Sequence, residues 1–220
     1  MTFWLSCDTV LGDSTPTRRP TIMGNVYTGT LGVVLLPNKD THTTAIALSR
    51  GLNQDGALID LSGEHQPHLT LYHAPMAKVP EERVFEFLSF LRNRLPVSVH
   101  LTGVNPFGKK FAFWDVDPSE ILTFLHTGIV LRLKEFFVHE ATPPSAKEGL
   151  QLSRAEQDNV RLYGHPLVFK LWRPHITLGA REGGYIQSQQ PQYSFHGGFE
   201  RAAFVQVGPN GTIAEIFAVS

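Results

Sequence analysis

Two short stretches of this 220-residue chain carry side chains able to do proton chemistry at a matched spacing. Pro67-His68-Leu69-Thr70-Leu71 returns almost unchanged at Pro174-His175-Ile176-Thr177-Leu178, 107 residues later. An unperturbed imidazole titrates near ~6.5, so two of them can serve as base and acid on opposite sides of one reacting group. Threonine hydroxyls beside them can donate hydrogen bonds to oxygens on which charge develops. Cutting or rejoining a phosphodiester asks for those services. A proton must leave water or a ribose hydroxyl, a proton must reach the leaving oxygen, and the non-bridging oxygens need donors. None of these steps requires a metal. The motifs do not say which histidine is the base and which the acid.

Both stretches are rich in strand formers and begin at a proline, so each reads as a strand start. Residues two apart in a strand share a face. His68 and Thr70 then point one way and Leu69 and Leu71 the other; His175 and Thr177 repeat this against Ile176 and Leu178. Side by side, the two strands would present two imidazoles and two hydroxyls over a core of four aliphatic groups. The same period adds Tyr72 after Thr70, and Gly179 and Arg181 after Thr177. Tyr72 could stack on a base or bond the phosphate, or pack at the cleft wall. Arg181 could hold a phosphate oxygen, with Gly179 leaving room, or end its strand in solvent. His65, His68 and His73 lie close in sequence, but the period turns His73 away from His68. No cysteine or carboxylate cluster joins them, and no metal is expected. His42 and His196 read as surface residues. Phe107, Trp114 and Trp172 read as core or as walls of a base pocket, and Lys109 and Lys110 as turn residues within reach of a phosphate.

The duplicated motif resembles that of the 2H phosphoesterase superfamily, which includes the 2′-5′ RNA ligase-like proteins and the cyclic phosphodiesterases. That family is named for two His-x-Thr-x motifs with a hydrophobic fourth position, and both are intact here. The resemblance implies an α+β, bilobal fold of two pseudo-symmetric β/α halves around a concave sheet cleft. It implies His68, Thr70, His175 and Thr177 as catalytic, no cofactor, and a nucleotide or short RNA substrate. Candidate substrates are a 2′,3′-cyclic phosphate, a 2′-5′ linkage or a cyclic oligonucleotide, with 2′-5′ RNA ligation as the reverse chemistry. The other class of function is a binding module that recognises a nucleotide without turnover, against which two intact histidines argue. Residues 1–30 lie outside the resemblance as an arm. Residues 31–220 form a single domain, with lobes of about 31–108 and 109–220.

The elements fall in two similar series. Leu31–Leu36 is an apolar run closed by Pro37, and a short strand sits near Val26-Tyr27. A helix capped by Asp40 or Thr41 runs to about Arg50. The first motif strand follows a loop over 51–63. Pro80-Glu81-Glu82 opens a helix with Val84, Phe85, Phe87, Leu88 and Leu91 as its apolar face. Strands over 97–104 and 110–116 flank a turn at Asn105–Gly108. A helix runs from Asp117-Pro118-Ser119-Glu120 to about Phe137, and Ser153-Arg154-Ala155-Glu156 reads as a capping box after a loop over 139–152. The second motif strand covers about His175–Arg181. After a polar loop over 183–198, two strands flank Pro209-Asn210-Gly211.

Composition bounds the partners. An apolar fraction of 42% and a charged fraction of 18% fit a soluble globular chain long enough for a sizeable core. A net charge of −1 gives no bulk field for duplex DNA, while a local pocket can still take a nucleotide. The single cysteine, Cys7, excludes an internal disulfide. No apolar run is long enough to span a membrane, and Phe3-Trp4-Leu5 lacks the basic flank of a signal peptide. A soluble, cytoplasmic monomer is the expectation.

Overall fold

A computed structural model describes residues 25–52, 57–63, 65–108, 110–139, 152–182 and 194–220. Among the described residues, seven strands and four α-helices follow in the order β1 (Val26–Pro37), α1 (Lys39–Leu52), β2 (Leu69–Pro80), α2 (Glu81–Arg92), β3 (Val97–Phe107), β4 (Phe111–Val116), α3 (Glu120–Leu133), α4 (Arg154–Tyr163), β5 (His175–Ala180), β6 (Phe195–Val207) and β7 (Ile213–Val219). Among the described residues, no helix is long and apolar enough to cross a membrane. Lys109, Cys7, the arm up to residue 24 and most of the two long loops lie outside the described residues.

The strands pair antiparallel in the order β1-β2-β5-β4-β3-β6-β7, and β1 also pairs with β6. The pairing therefore runs in a closed circuit, with β7 added outside β6. The 13-residue β6 makes this possible. Its first part pairs with β3 and its second with β1, and Phe199 faces both Val97 and Pro37 at the crossing. One wing holds β2, β1, the end of β6 and β7; the other holds β5, β4, β3 and the start of β6. The circuit is pinched between the motif strands, where Leu69 opposite Ile176 is the one paired position. The helices pack against the sheet, α1 on β5, α2 on β6 and α3 on β2.

Local chemistry explains the helix ends. Asn38, not Asp40 or Thr41, caps α1: its Oδ1 accepts from Thr41 N–H at 3.0 Å. Thr41 is spent elsewhere, its buried hydroxyl accepting from Gly198 N–H at 2.9 Å. The capping box at Ser153–Glu156 forms as expected, and α4 ends at Gly164 with φ 71°. A side chain there would put its Cβ 2.5 Å from the Phe137 ring. On α2, Val84, Phe87, Leu88 and Leu91 are buried, but Phe85 is 59% exposed, a correction to the wide apolar face expected.

Candidate active site

Two bulges set which side chains reach the cleft. Along β1 and β2, Val34 faces Thr70 and Val33 faces Tyr72, so Leu71 is an extra residue. Along β4 and β5, Phe113 faces Thr177 and Ala112 faces Gly179, so Leu178 is extra in the same way. Each motif thus carries a bulge immediately after its threonine. A bulge of one residue reverses the alternation beyond it. Tyr72 is turned to the face of Val33 and packs in the main core, and His73, opposite Gly32, joins Thr70 on the cleft face.

The carbonyls of these extra leucines are held by helices. His126 of α3 donates from Nδ1–H to the Leu71 carbonyl at 2.6 Å, and its Nε2 accepts from Phe169 N–H at 2.8 Å. Those two bonds fix one neutral tautomer, and burial pushes this histidine down to about 4. The ring stacks on Trp172 at 4.3 Å. Ser49 of α1 does the equivalent for the second motif, donating to the Leu178 carbonyl at 2.6 Å. Ser49→Ala removes this buried bond without touching the cleft lining. The expected cost is about 1–3 kcal/mol of stability, with reduced turnover as the second motif loses its support. A denaturant melt and a rate measurement check it; unchanged values in both would remove the serine from this role.

The two motifs meet around the Leu69–Ile176 pair. In an antiparallel register Thr70 and His175 flank that pair on one side and His68 and Thr177 on the other, while Leu69 and Ile176 alone are paired. In both motifs Nδ1 bonds the carbonyl two residues back, across the proline. His68 Nδ1–H donates to Gln66 O at 2.9 Å, and His175 Nδ1–H donates to Arg173 O at 2.7 Å. In His175 this leaves Nε2 as the nitrogen able to take up a proton. His175 lies flat on Phe113, with ring centroids 3.6 Å apart. Burial pushes it down to about 4, opposed by its bond to Arg173 and by the Asp115 charge. Burial also lowers His68, here opposed by two carbonyls, because its Nε2 lies 3.2 Å from Gly211 O.

Thr70, His175 and Thr177 line a cavity of about 690 Å³, in the range of a nucleotide-sized ligand site. His68 sits behind the β6–β7 turn, of which Pro209, Asn210 and Gly211 line the same cavity. The aromatic walls are Tyr72, Phe107, Phe111, Phe113 and Trp172, while Trp114 is buried in the core. Arg173 at the rim makes a two-pronged ion pair with Asp115, at 2.8 and 2.6 Å. Asp115 also accepts from Asn105, so it is a satisfied anchor beside His175 and not a base.

Of the two expected ligand contacts, Tyr72 lies in the cavity wall and Arg181 does not line the cavity. Tyr72 is 2% exposed and its hydroxyl donates to Tyr163 O at 2.5 Å. Burial raises its pKa. Arg181 follows the second bulge and does not line the cavity; its N–H bonds Lys110 O at 3.0 Å. The residues missed from the sequence are His73, His165, Phe113 and the Arg173–Asp115 pair. A legible signal existed for the first bulge. Buried positions run Leu69, Leu71, then Tyr72, Ala74, Met76, a break in the period of two.

Outside the cleft, Ser194 Oγ lies 2.8 Å from His100 Nε2, and His100 Nδ1–H reaches Asp117 at 2.7 Å. The order matches a hydrolytic triad. However, the side chains of His100 and Asp117 are 36% and 58% exposed, so the carboxylate keeps its hydration and we assign it no chemistry. Among the described residues, no three His, Cys, Asp or Glu side chains group to hold a metal ion.

No protein-family model matches the sequence, and no curated protein matches it. Solved structures do. TT0787 of Thermus thermophilus is 18% identical, with a TM-score of 0.54 over 86% of this chain and 96% of its own. A structure described as a phosphoesterase is 14% identical, with a TM-score of 0.51 over 88% and 98%. E. coli LigT in complex with NADP+ is 13% identical, with a TM-score of 0.52 over 87% and 96%. The chain therefore has a LigT-like fold, as its two motifs led us to expect.

Proposed function

We propose that this protein is a metal-independent phosphodiesterase acting on a nucleotide or short RNA. The observation that supports it best is the meeting of both motif strands at the antiparallel Leu69–Ile176 pair, with Thr70, His175 and Thr177 lining one cavity. In hydrolysis, His175 Nε2 takes a proton from water as the water oxygen attacks phosphorus. His68 Nε2–H, freed from the Gly211 carbonyl by the bound substrate, gives its proton to the leaving ribose oxygen, and the P–O bond to that oxygen breaks. His68 is assigned as the acid because carbonyls face both of its ring nitrogens and oppose the burial that lowers it, whereas His175 is pushed down to about 4. Thr70 and Thr177 donate to the non-bridging oxygens. Ligation of a 2′-5′ bond is the same path reversed. The cavity size and the aromatic walls suit one or two nucleotides, and LigT has been solved with NADP+, ATP and 3′-AMP.

A binding module without turnover has one observation on its side, the Gly211 carbonyl held against His68. The deciding experiment incubates purified protein with a 2′,3′-cyclic phosphate, a 2′-5′ dinucleotide and a cyclic oligonucleotide, with and without EDTA, read by mass spectrometry. Turnover that survives EDTA is expected. Tight binding with no product from any of the three would favour the module.

The threonines give a sharper test. Valine is nearly isosteric and a better strand former. Thr70→Val and Thr177→Val should each cost about 2–4 kcal/mol of barrier, as loss of an oxyanion donor does. That is on the order of thirtyfold to several hundredfold in kcat/KM, with the melting temperature nearly unmoved. Full activity in both would take the threonines out of the reaction.

A further inference from the structure

We propose that His73 is a third histidine of the reaction site, donating a hydrogen bond from Nε2–H to an oxygen of the bound phosphodiester. The assignment rests on the phosphodiesterase reading and adds a residue that the two motifs do not contain.

The first support is placement. The bulge at Leu71 puts His73 on the face of Thr70, and His73 lines the same cavity as Thr70, His175 and Thr177. Room for the imidazole is made by its β1 partner. A Cβ added to Gly32 would stand 3.0 Å from both the His73 Cβ and a Val207 methyl.

The second support is the ring's own hydrogen bonding. His73 Nδ1 is buried and has no partner. A proton on Nδ1 would be a stranded donor, so the neutral ring keeps its proton on Nε2, the nitrogen left to meet the cavity. The ring is held edge-on against His165 at 4.4 Å, and His165 Nδ1 in turn accepts from Leu167 N–H at 3.1 Å. A buried orphan nitrogen lowers stability, and the cleft-facing donor on the same ring is what that cost accompanies.

The third support is what surrounds it. His73 is close enough to His68 and His175 to feel the charge of either. Burial pushes it down to about 4, so near pH 7 it acts as a neutral donor and not as a cation.

Two variants of similar bulk separate donor from packing. His73→Met removes the donor, and His73→Gln keeps an N–H at nearly the reach of Nε2. The readouts are kcat/KM on the diester that wild type turns over, affinity for 3′-AMP as a phosphate-bearing probe, and melting temperature. We expect His73→Met to lose about tenfold to a hundredfold in kcat/KM. It should also bind 3′-AMP more weakly and melt no lower than wild type, since the orphan nitrogen is gone. His73→Gln should recover much of the loss. Wild-type kinetics and 3′-AMP affinity in His73→Met would overturn the proposal. So would a glutamine variant no better than methionine, or an activity loss that merely tracks a fallen melting temperature. A wild-type protein with no turnover, or an active His175→Ala, overturns the phosphodiesterase reading, and the 3′-AMP titrations then decide on His73 alone. An inactive His175→Ala beside an unimpaired His73→Met overturns only the present assignment.

Discussion

Replacing His175 by alanine is expected to lower turnover by on the order of a hundredfold or more, and His68→Ala should do the same. The double variant should lose little beyond either single one, because the two rings act on one step. The pH profile carries further detail. Burial lowers both rings from their ordinary value, His175 down to about 4. The kcat/KM profile reports the free enzyme, so its bell should peak on the acid side of neutrality, with His175 as the acid limb. The kcat profile reports the complex and should sit higher, because a phosphate anion between the rings favours their charged forms. Near wild-type turnover in either folded alanine variant would end the two-histidine mechanism. A rate that climbs steadily into alkali and is abolished by chelator would point to a metal-bound hydroxide.

The second large effect is on stability. His73, His126 and His175 are each pushed down to about 4 by burial, and His165 is lowered in the same sense. An unfolded histidine takes its proton near ~6.5. Between ~6.5 and about 4 the unfolded chain therefore binds more protons than the folded one, and stability falls as pH falls through that window. Below about 4 both states are protonated at these three rings, and their contribution to the slope ends. For fully buried His126 the gap is worth about 3 kcal/mol. That alone is on the order of 6–12 °C of melting temperature for a chain of this size. With the other rings adding in the same direction, loss of several kcal/mol is expected between pH 7 and pH 4.5, a large share of ordinary domain stability. Melts across this range should show it. The His126→Asn variant, already weaker at pH 7 through lost stacking on Trp172, should show a shallower slope. A melting temperature that stays flat down to pH 4.5 would mean these rings are not held neutral by the fold. The same melts also tell an acid limb in the rate profile from unfolding.

The sequence and the structure agree where local rules suffice. Two His-x-Thr motifs, the capping box at Ser153, the proline opening α2 and the order of strands and helices all follow from composition and period. The site's outer members followed only in part, for one physical reason. Reading on by twos from Thr70 and Thr177 selects Tyr72 and Arg181, but Leu71 and Leu178 are each an extra residue in their strands. What sustains a bulge is a donor for its displaced carbonyl, and those donors, His126 and Ser49, lie 55 and 129 residues away in the chain. No local window contains them. His73 was therefore read as facing away when it faces in. The cap of α1 failed more simply: Asn38, Asp40 and Thr41 are all competent, and tertiary packing claimed Thr41 for Gly198.

The crossing of those two props has a consequence for engineering. Ser49 belongs to the first half of the chain and holds the second motif, while His126 belongs to the second half and holds the first. A chimera joined near residue 109 would take each motif from one parent and its underpinning from the other. A split at the same place would leave two fragments that each carry a complete His-x-Thr sequence without the means to shape it. Recombination between relatives should therefore be tolerated ahead of Ser49 or beyond Leu178 more readily than at the apparent midpoint, and complementation should need both fragments folding together.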